Sequence, residues 1–248
     1  MDLKGKKVVV TGGAVRVGAA LVQAFAAKGA RLVIHCRHSL EEGKVLLEKI
    51  GGKKAGHTLM QMDLADPETV ALRGKELLAG SDILINNASS YIRKKMEEEE
   101  TAEGLLQWQV NFHAPVLLMQ LFAQQARPGS VVINMLDQGI CRSDENSFSY
   151  ALSKKALAEA TRSAALQLAP RIRVNGIAPG PVLPPVGLEH SRMEKTLQFV
   201  PLQKPVSLSD LTSGAIFLAE NESLTGEILF MDCGQSLCPF SPHPPKGL

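Results

Sequence analysis

Short apolar, β-branched runs alternate along the chain with longer stretches in which apolar positions recur at helical spacing. Lys7–Thr11, Arg31–Cys36, Gly56–Met62, Ser81–Asn86, Ser130–Met135, Arg171–Ile177 and Glu227–Met231 predict strands. Between them Val15–Lys28, Pro67–Leu78, Ala102–Gln125, Ser149–Leu168 and Ser207–Glu220 predict helices, and Ser39-Leu40-Glu41-Glu42 offers a capping box that opens one more. Strands separated by single helices call for parallel pairing through right-handed crossovers. The strands are apolar at successive positions rather than at every second one, as a sheet covered by helices on both faces requires. The pattern predicts an α/β fold, a doubly wound parallel sheet with helices on both faces, in a single domain over residues 1–248. Pro181–Ser191, rich in Pro and Gly, predicts a mobile loop over a site, within a substrate-binding loop region spanning 181–206. The tail Pro239–Leu248, with four prolines, is expected at the surface.

Composition narrows the classes. At 248 residues the chain can hide roughly 70–75% of its unfolded surface, and 45% hydrophobic with 21% charged residues excludes a disordered chain. A net charge of +2 gives no reason to expect a nucleic-acid or membrane partner. No apolar run approaches the ~20 residues that span a bilayer, and Met1–Lys7 has no apolar segment of a secretory signal. Cys36, Cys141, Cys233 and Cys238 form no C-x-x-C pair and no metal-ligand spacing. Reduced thiols in a cytoplasmic protein, without a metal, is the expectation.

Two places carry candidate chemistry before any family is invoked. Between the first strand and helix lies Thr11-Gly12-Gly13-Ala14-Val15-Arg16-Val17-Gly18. Glycines there allow a tight turn and let backbone approach a pyrophosphate at the positive end of a helix. Arg16 within it could clamp a cofactor phosphate, an anionic substrate or a surface carboxylate. At the end of the second strand, an acidic residue would hold the ribose of NAD, but the chain has Cys36-Arg37-His38-Ser39. Arg37 and His38 suit the additional 2′-phosphate of NADP, with Ser39 adding a hydrogen bond.

Tyr150-Ala151-Leu152-Ser153-Lys154 sets a phenol and an ammonium one helical turn apart. Thr11–Gly18, Asn86-Asn87-Ala88, Asn111, Tyr150 with Lys154, and Pro179-Gly180 follow one another in that order. Together they make the chain resemble a short-chain dehydrogenase/reductase, from Lys7 to the Thr225-Gly226…Met231-Asp232-Cys233-Gly234 segment. The resemblance implies a Rossmann fold, NADPH/NADP as cofactor and a small-molecule substrate. It also implies a homotetramer built through the helices around Ala102–Gln125 and Ser149–Leu168. On it Tyr150 would be the general acid, Lys154 the group that lowers its pKa and holds the nicotinamide ribose, and Asn111 the anchor of a proton-relay water. Gly12, Arg16 and Val17 would cradle phosphates, and Asp63-Leu64 would contact the adenine. Asn86, Asn87 and Ala88 would line the nicotinamide side, with Pro179-Gly180 beside the carboxamide.

One departure shapes the substrate reading. The family's usual serine lies about thirteen positions before the tyrosine, where this chain has Asp137, with Ser143 or Ser147 as candidates for the role after a loop shift. An ionised carboxylate accepts but does not donate, so it suits nitrogens to be protonated or N–H groups to be held rather than a carbonyl. Arg16 in the glycine turn, Asn87-Ala88-Ser89-Ser90-Tyr91 and Asp137 resemble the pteridine reductase branch. That resemblance makes Tyr91 the platform on which a flat pterin stacks, Ser89 a polar contact and Arg16 the clamp. It implies reduction of a dihydropterin. A reductase of ordinary carbonyls, such as an oxoacyl thioester, and a non-catalytic NADP-binding sensor are the alternatives. Arg93-Lys94-Lys95 reads as surface or as a gate for an anionic substrate tail, Glu97–Glu100 as a solvated helix start, and Trp108 as core or subunit interface.

Overall fold

The structure, a computed structural model, describes residues 1–184 and 190–238. Strands β1 (Lys7–Val10), β2 (Arg31–Cys36), β3 (Thr58–Gln61), β4 (Ile83–Asn86), β5 (Ser130–Met135), β6 (Ile172–Pro179) and β7 (Ile228–Met231) form one sheet in the order β3-β2-β1-β4-β5-β6-β7. Every neighbouring pair is parallel. β1 pairs with β2 on one side and β4 on the other, so the winding reverses there. At such a switch point the carboxyl ends of the strands open a crevice.

Helices cover both faces. Val8 and Val10 pack into one core with Phe25 of α1 (Arg16–Ala27), Leu46 of α2 (Leu40–Lys49) and Leu211 of α8 (Leu208–Glu220). Val9 points the other way, into a core with Leu77 of α3 (Pro67–Leu78), Phe122 of α5 (Ala114–Gln125) and Leu157 of α6 (Phe148–Leu168). All three valines are fully buried, which is why β1 reads as apolar at every position. Each such burial stabilises the fold by about 1.5–3 kcal/mol.

Several element ends differ from the expectation. Gly56 does not join β3; it is left-handed at φ 84° and ends a short turn. The Ser39–Glu42 capping box does not form. Ser39 sits at φ −82°, ψ 53° rather than in the extended geometry of an N-cap, and its side chain makes no capping bond. By contrast, Asp66 caps α3 by accepting from the Glu68 and Thr69 amides, with Pro67 at the first helical position. The single helix expected over Ala102–Gln125 is divided into α4 (Thr101–Trp108), a π turn (Gln109–His113) and α5. Pro115 explains the break: it has no N–H to return to the Asn111 carbonyl four residues earlier. Of the loop expected over Pro181–Ser191, residues 181–184 carry neither helix nor strand, and α7 (His190–Leu197), whose few apolar positions give little helical signal, takes in its last two residues. Residues 185–189 of that loop and the tail Pro239–Leu248 lie outside the described residues. Among the described residues no helix is long and apolar enough to cross a membrane.

Candidate active site

A cleft of about 610 Å³ runs along the carboxyl ends of the strands, from Arg37 past the glycine turn to Tyr150, within the size range of small-molecule sites. Its floor is the turn after β1, joined to the segment after β4. The Thr11 hydroxyl accepts from the amides of Asn87 (2.9 Å) and Ala88 (3.0 Å). In return the Asn87 side-chain amide donates to the carbonyls of Thr11 (2.8 Å) and Gly12 (3.1 Å). This closeness demands glycine. A Cβ on Gly12 would meet the Ala88 Cα at 3.0 Å, and one on Gly18 would overlap the Gly12 carbonyl oxygen.

His35 fixes the turn from beneath. Its Nδ1 accepts from the Gly12 amide at 3.1 Å, so Nε2 carries the proton and donates to the Met62 carbonyl at 2.9 Å. Burial of the ring lowers its pKa to about 4 and keeps it neutral. Arg16 takes a left-handed φ of 54° where glycine would be unstrained, and its guanidinium donates across the cleft to the Pro184 carbonyl at 2.8 Å.

At the β2 end, Arg37 Nε pairs with Asp63 Oδ2 at 3.1 Å. His38, Ser39 and Leu64 line the cleft beside them. On the opposite side, Val17, Ala88, Pro179 and Gly180 form walls. Gly180 packs so closely on Asp232 that a Cβ would lie 2.8 Å from its Cα.

Tyr150 Oη donates to Asp137 Oδ2 at 2.9 Å, and Asp137 Oδ1 accepts from the Gly139 amide at 2.7 Å, capping a short 3₁₀ turn. Burial raises the Asp137 pKa. Burial, then the charge of Asp137 and its hydrogen bond, push the Tyr150 phenol well above the usual tyrosine value. Lys154 is almost fully buried, and Nζ donates to the Met135 carbonyl at 2.8 Å. Burial lowers its pKa to about 8, against a partly offsetting attraction to Asp137. Burial and Asp137, not Lys154, set the direction of the Tyr150 shift in this arrangement. Lys154 Nζ stands 5.9 Å from the ring centroid, while the carboxylate touches the phenol.

Tyr91 lies at the cleft mouth, 52% exposed, its ring edge-on to Tyr150 at 4.6 Å and 75°. Its hydroxyl is 3.4 Å from Ser147 Oγ. Ser147 thus faces Tyr91, and the group on the Tyr150 hydroxyl is Asp137. Ser89 lines the cleft and donates to Asn111 Oδ1 at 3.0 Å. Asn111 uses its whole side-chain amide: Oδ1 also accepts from the Ser90 amide, and Nδ2 donates to the Ser90 carbonyl and to Ser153 Oγ.

Asn86 is the residue that leaves the expected place. It is buried, off the cleft wall, and donates to Asn134 Oδ1 at 2.8 Å. Its neighbour Asn87 lines the cleft instead. Lys94 of the basic triplet is paired with Glu103 of α4 at 2.8 Å. Four residues escaped the sequence reading. Thr11 shows only as the start of the turn, Ser90 only as part of the Asn87–Tyr91 segment with no role of its own, Ser153 only as a spacer between Tyr150 and Lys154, and His35 only as a polar residue inside an apolar strand. Among the described residues no three His, Cys, Asp or Glu side chains gather as metal ligands.

The parallel sheet with its switch point, the glycine turn and the Tyr150/Lys154 pair together define a class, and residues 13–236 match the family described as enoyl-(acyl carrier protein) reductase. The chain belongs to the short-chain dehydrogenase/reductase family. Individual relatives differ in what they are named for. Among solved structures, a FolM alternative dihydrofolate reductase 1 from Brucella suis in complex with NADP is 34% identical, with a TM-score of 0.89 over 98% of this chain and 99% of that one. The 3beta-hydroxysteroid dehydrogenase 1 of Eggerthella lenta is 30% identical over 96% of each chain. Pteridine reductase 1 of Leishmania tarentolae is 27% identical over 92% of this chain and 96% of its own.

Proposed function

We propose that this chain is a single-domain, cytoplasmic, NADPH-dependent reductase of a pteridine, converting a dihydropterin to the tetrahydro form. The observation that carries the reading is the Tyr150–Asp137 hydrogen bond, with the exposed ring of Tyr91 packed on Tyr150. A serine at position 137 would offer a donor to a carbonyl, whereas the carboxylate accepts, and so suits the amino and ring N–H groups of a pterin. NADP bound to the FolM structure and the pteridine reductase relative support the same reading.

The cleft fits the dinucleotide. Gly12 and Gly18 leave no room for side chains between the turn and the segment after β4, so backbone forms the surface a pyrophosphate would meet. Arg37, His38 and Ser39 would take the 2′-phosphate, Asp63 and Leu64 the adenine side, and Lys154 the nicotinamide ribose. Val17, Asn87, Ala88, Pro179 and Gly180 would enclose the remainder, and residues 181–206 would cover the substrate. Bound there, the reduced nicotinamide supplies hydride. The chain's own residues place and protonate the acceptor. Tyr91 offers a flat face for stacking, Ser89 a polar contact, and Arg16 a cation for the pterin or a phosphate. Tyr150, whose raised pKa keeps its proton on the phenol, delivers it to the ring nitrogen next to the carbon that receives hydride. Asp137, hydrogen-bonded to that hydroxyl, stands where it would relay a proton to the phenolate left behind.

The test is NADPH oxidation by the purified protein with a dihydropterin, a ketosteroid, an oxoacyl thioester or no second substrate. Rapid turnover with the pterin alone is expected. Turnover of the steroid or thioester alone would move the chain to carbonyl reduction. Tight cofactor binding with no turnover of any would make it a sensor.

A further inference from the structure

We infer that Asp63 is a positioning residue for cofactor choice: it holds the Arg37 guanidinium by its Nε edge, so that the opposite edge is presented to a 2′-phosphate. The inference rests on the NADP reading above and adds to it a residue that acts through another. Arg37 lies just past β2, and β2 and β3 run side by side with Cys36 opposite Gln61. Two bonds secure this corner. The Gln61 side chain donates to the Arg37 carbonyl at 2.7 Å, and the Ala65 amide donates to Asp63 Oδ1 at 2.9 Å. The Asp63 carboxylate is therefore fixed by its own turn, and its other oxygen takes Arg37 Nε at 3.1 Å.

Both side chains are open to solvent, at 44% and 41% exposure, and a pair so exposed adds little to stability. Its consequence is geometric. A guanidinium is a rigid plane with two usable edges, and occupation of the Nε edge leaves the two terminal nitrogens for bidentate contact with phosphate. A long side chain already confined to that orientation loses less freedom when the phosphate arrives. Both residues line the cleft, so the free edge and the ligand share one space.

The experiment measures binding rather than turnover. Titration calorimetry of 2′,5′-ADP and 5′-AMP, and of NADPH and NADH, is carried out on the wild type, Asp63→Asn, Asp63→Glu and Arg37→Ala, with thermal melting to check the fold. Expected is a wild-type preference for the 2′-phosphorylated ligands that falls about ten-fold in Asp63→Asn and further in Arg37→Ala, and is partly restored in Asp63→Glu. Equal loss of 2′,5′-ADP and 5′-AMP in Asp63→Asn would overturn the inference and make Asp63 an adenine contact alone. Tighter NADPH binding in Asp63→Asn would also overturn it, because the carboxylate would then act by repelling the phosphate. A wild type without preference for 2′,5′-ADP would overturn the NADP reading itself, a result separate from either of these.

Discussion

The proton on Tyr150 is held first by burial and then by its nearest neighbour. Asp137 contributes both a negative charge and a hydrogen-bond acceptor to the phenol, and each favours the protonated form. Replacing Asp137 by Asn removes the charge and should bring the Tyr150 pKa down. With only two tyrosines in the chain, tyrosinate absorbance against pH resolves this, and an unmoved titration would show that burial alone sets the value. Asp137→Ser should lower pterin turnover, measured as NADPH oxidation at saturating cofactor; unchanged turnover would remove Asp137 from the proton path. Arg16 makes the opposite bargain, holding a left-handed backbone for the sake of its side chain. Arg16→Gly relieves a conformation that costs about 1–2 kcal/mol, so urea unfolding should show a stabler protein even as pterin or cofactor affinity falls. A less stable variant would mean that the Arg16–Pro184 bond outweighs the strain.

At the scale of elements, His35 joins β2 to the glycine turn and to the residue after β3. Its folded pKa of about 4 lies below the ordinary 6.5, so between those values the unfolded chain binds a proton that the fold refuses. Stability is full above pH 6.5 and is lost as pH falls toward 4, by about 3 kcal/mol if His35 acts alone. Urea unfolding at neutral and mildly acidic pH measures the slope, which should flatten in His35→Gln. Elements were legible in the sequence where burial is simple. β1 and β5 are packed on both faces, so an unbroken apolar run marked them with the right limits to within a residue. The division of α4 from α5 was written in Pro115, but a helical periodicity continues smoothly across a π turn and conceals it. The Ser39 box failed for a different reason: its residues fit the motif, but the backbone at the cleft edge does not take the extended N-cap geometry.

On the scale of the whole molecule, α4, α5 and α6 stand on one side of the sheet, with Leu105 and Leu152 exposed at 64% and 38%. Trp108 and Phe112 pack edge-on at 5.7 Å beside the π turn. The resemblance to the family predicts a homotetramer assembled through this face, and light scattering coupled to size exclusion should return four times the chain mass. Leu105→Lys with Leu152→Lys should lower the assembly state, and a wild-type monomer would remove the prediction.

Local sequence determined the alternation of strands and helices, the glycine turn after β1 and the one-turn spacing of Tyr150 and Lys154. Periodicity, turn chemistry and short-range spacing act over a few residues, so they can be read without the fold. Tertiary structure alone decided which groups face one another: Tyr150 with Asp137, Arg37 with Asp63, Arg16 with Pro184 and Gly12 with His35. It also decided their protonation, because the affinity of a buried group for a proton is set by the solvent it has lost and by charges that the folded chain brings to it.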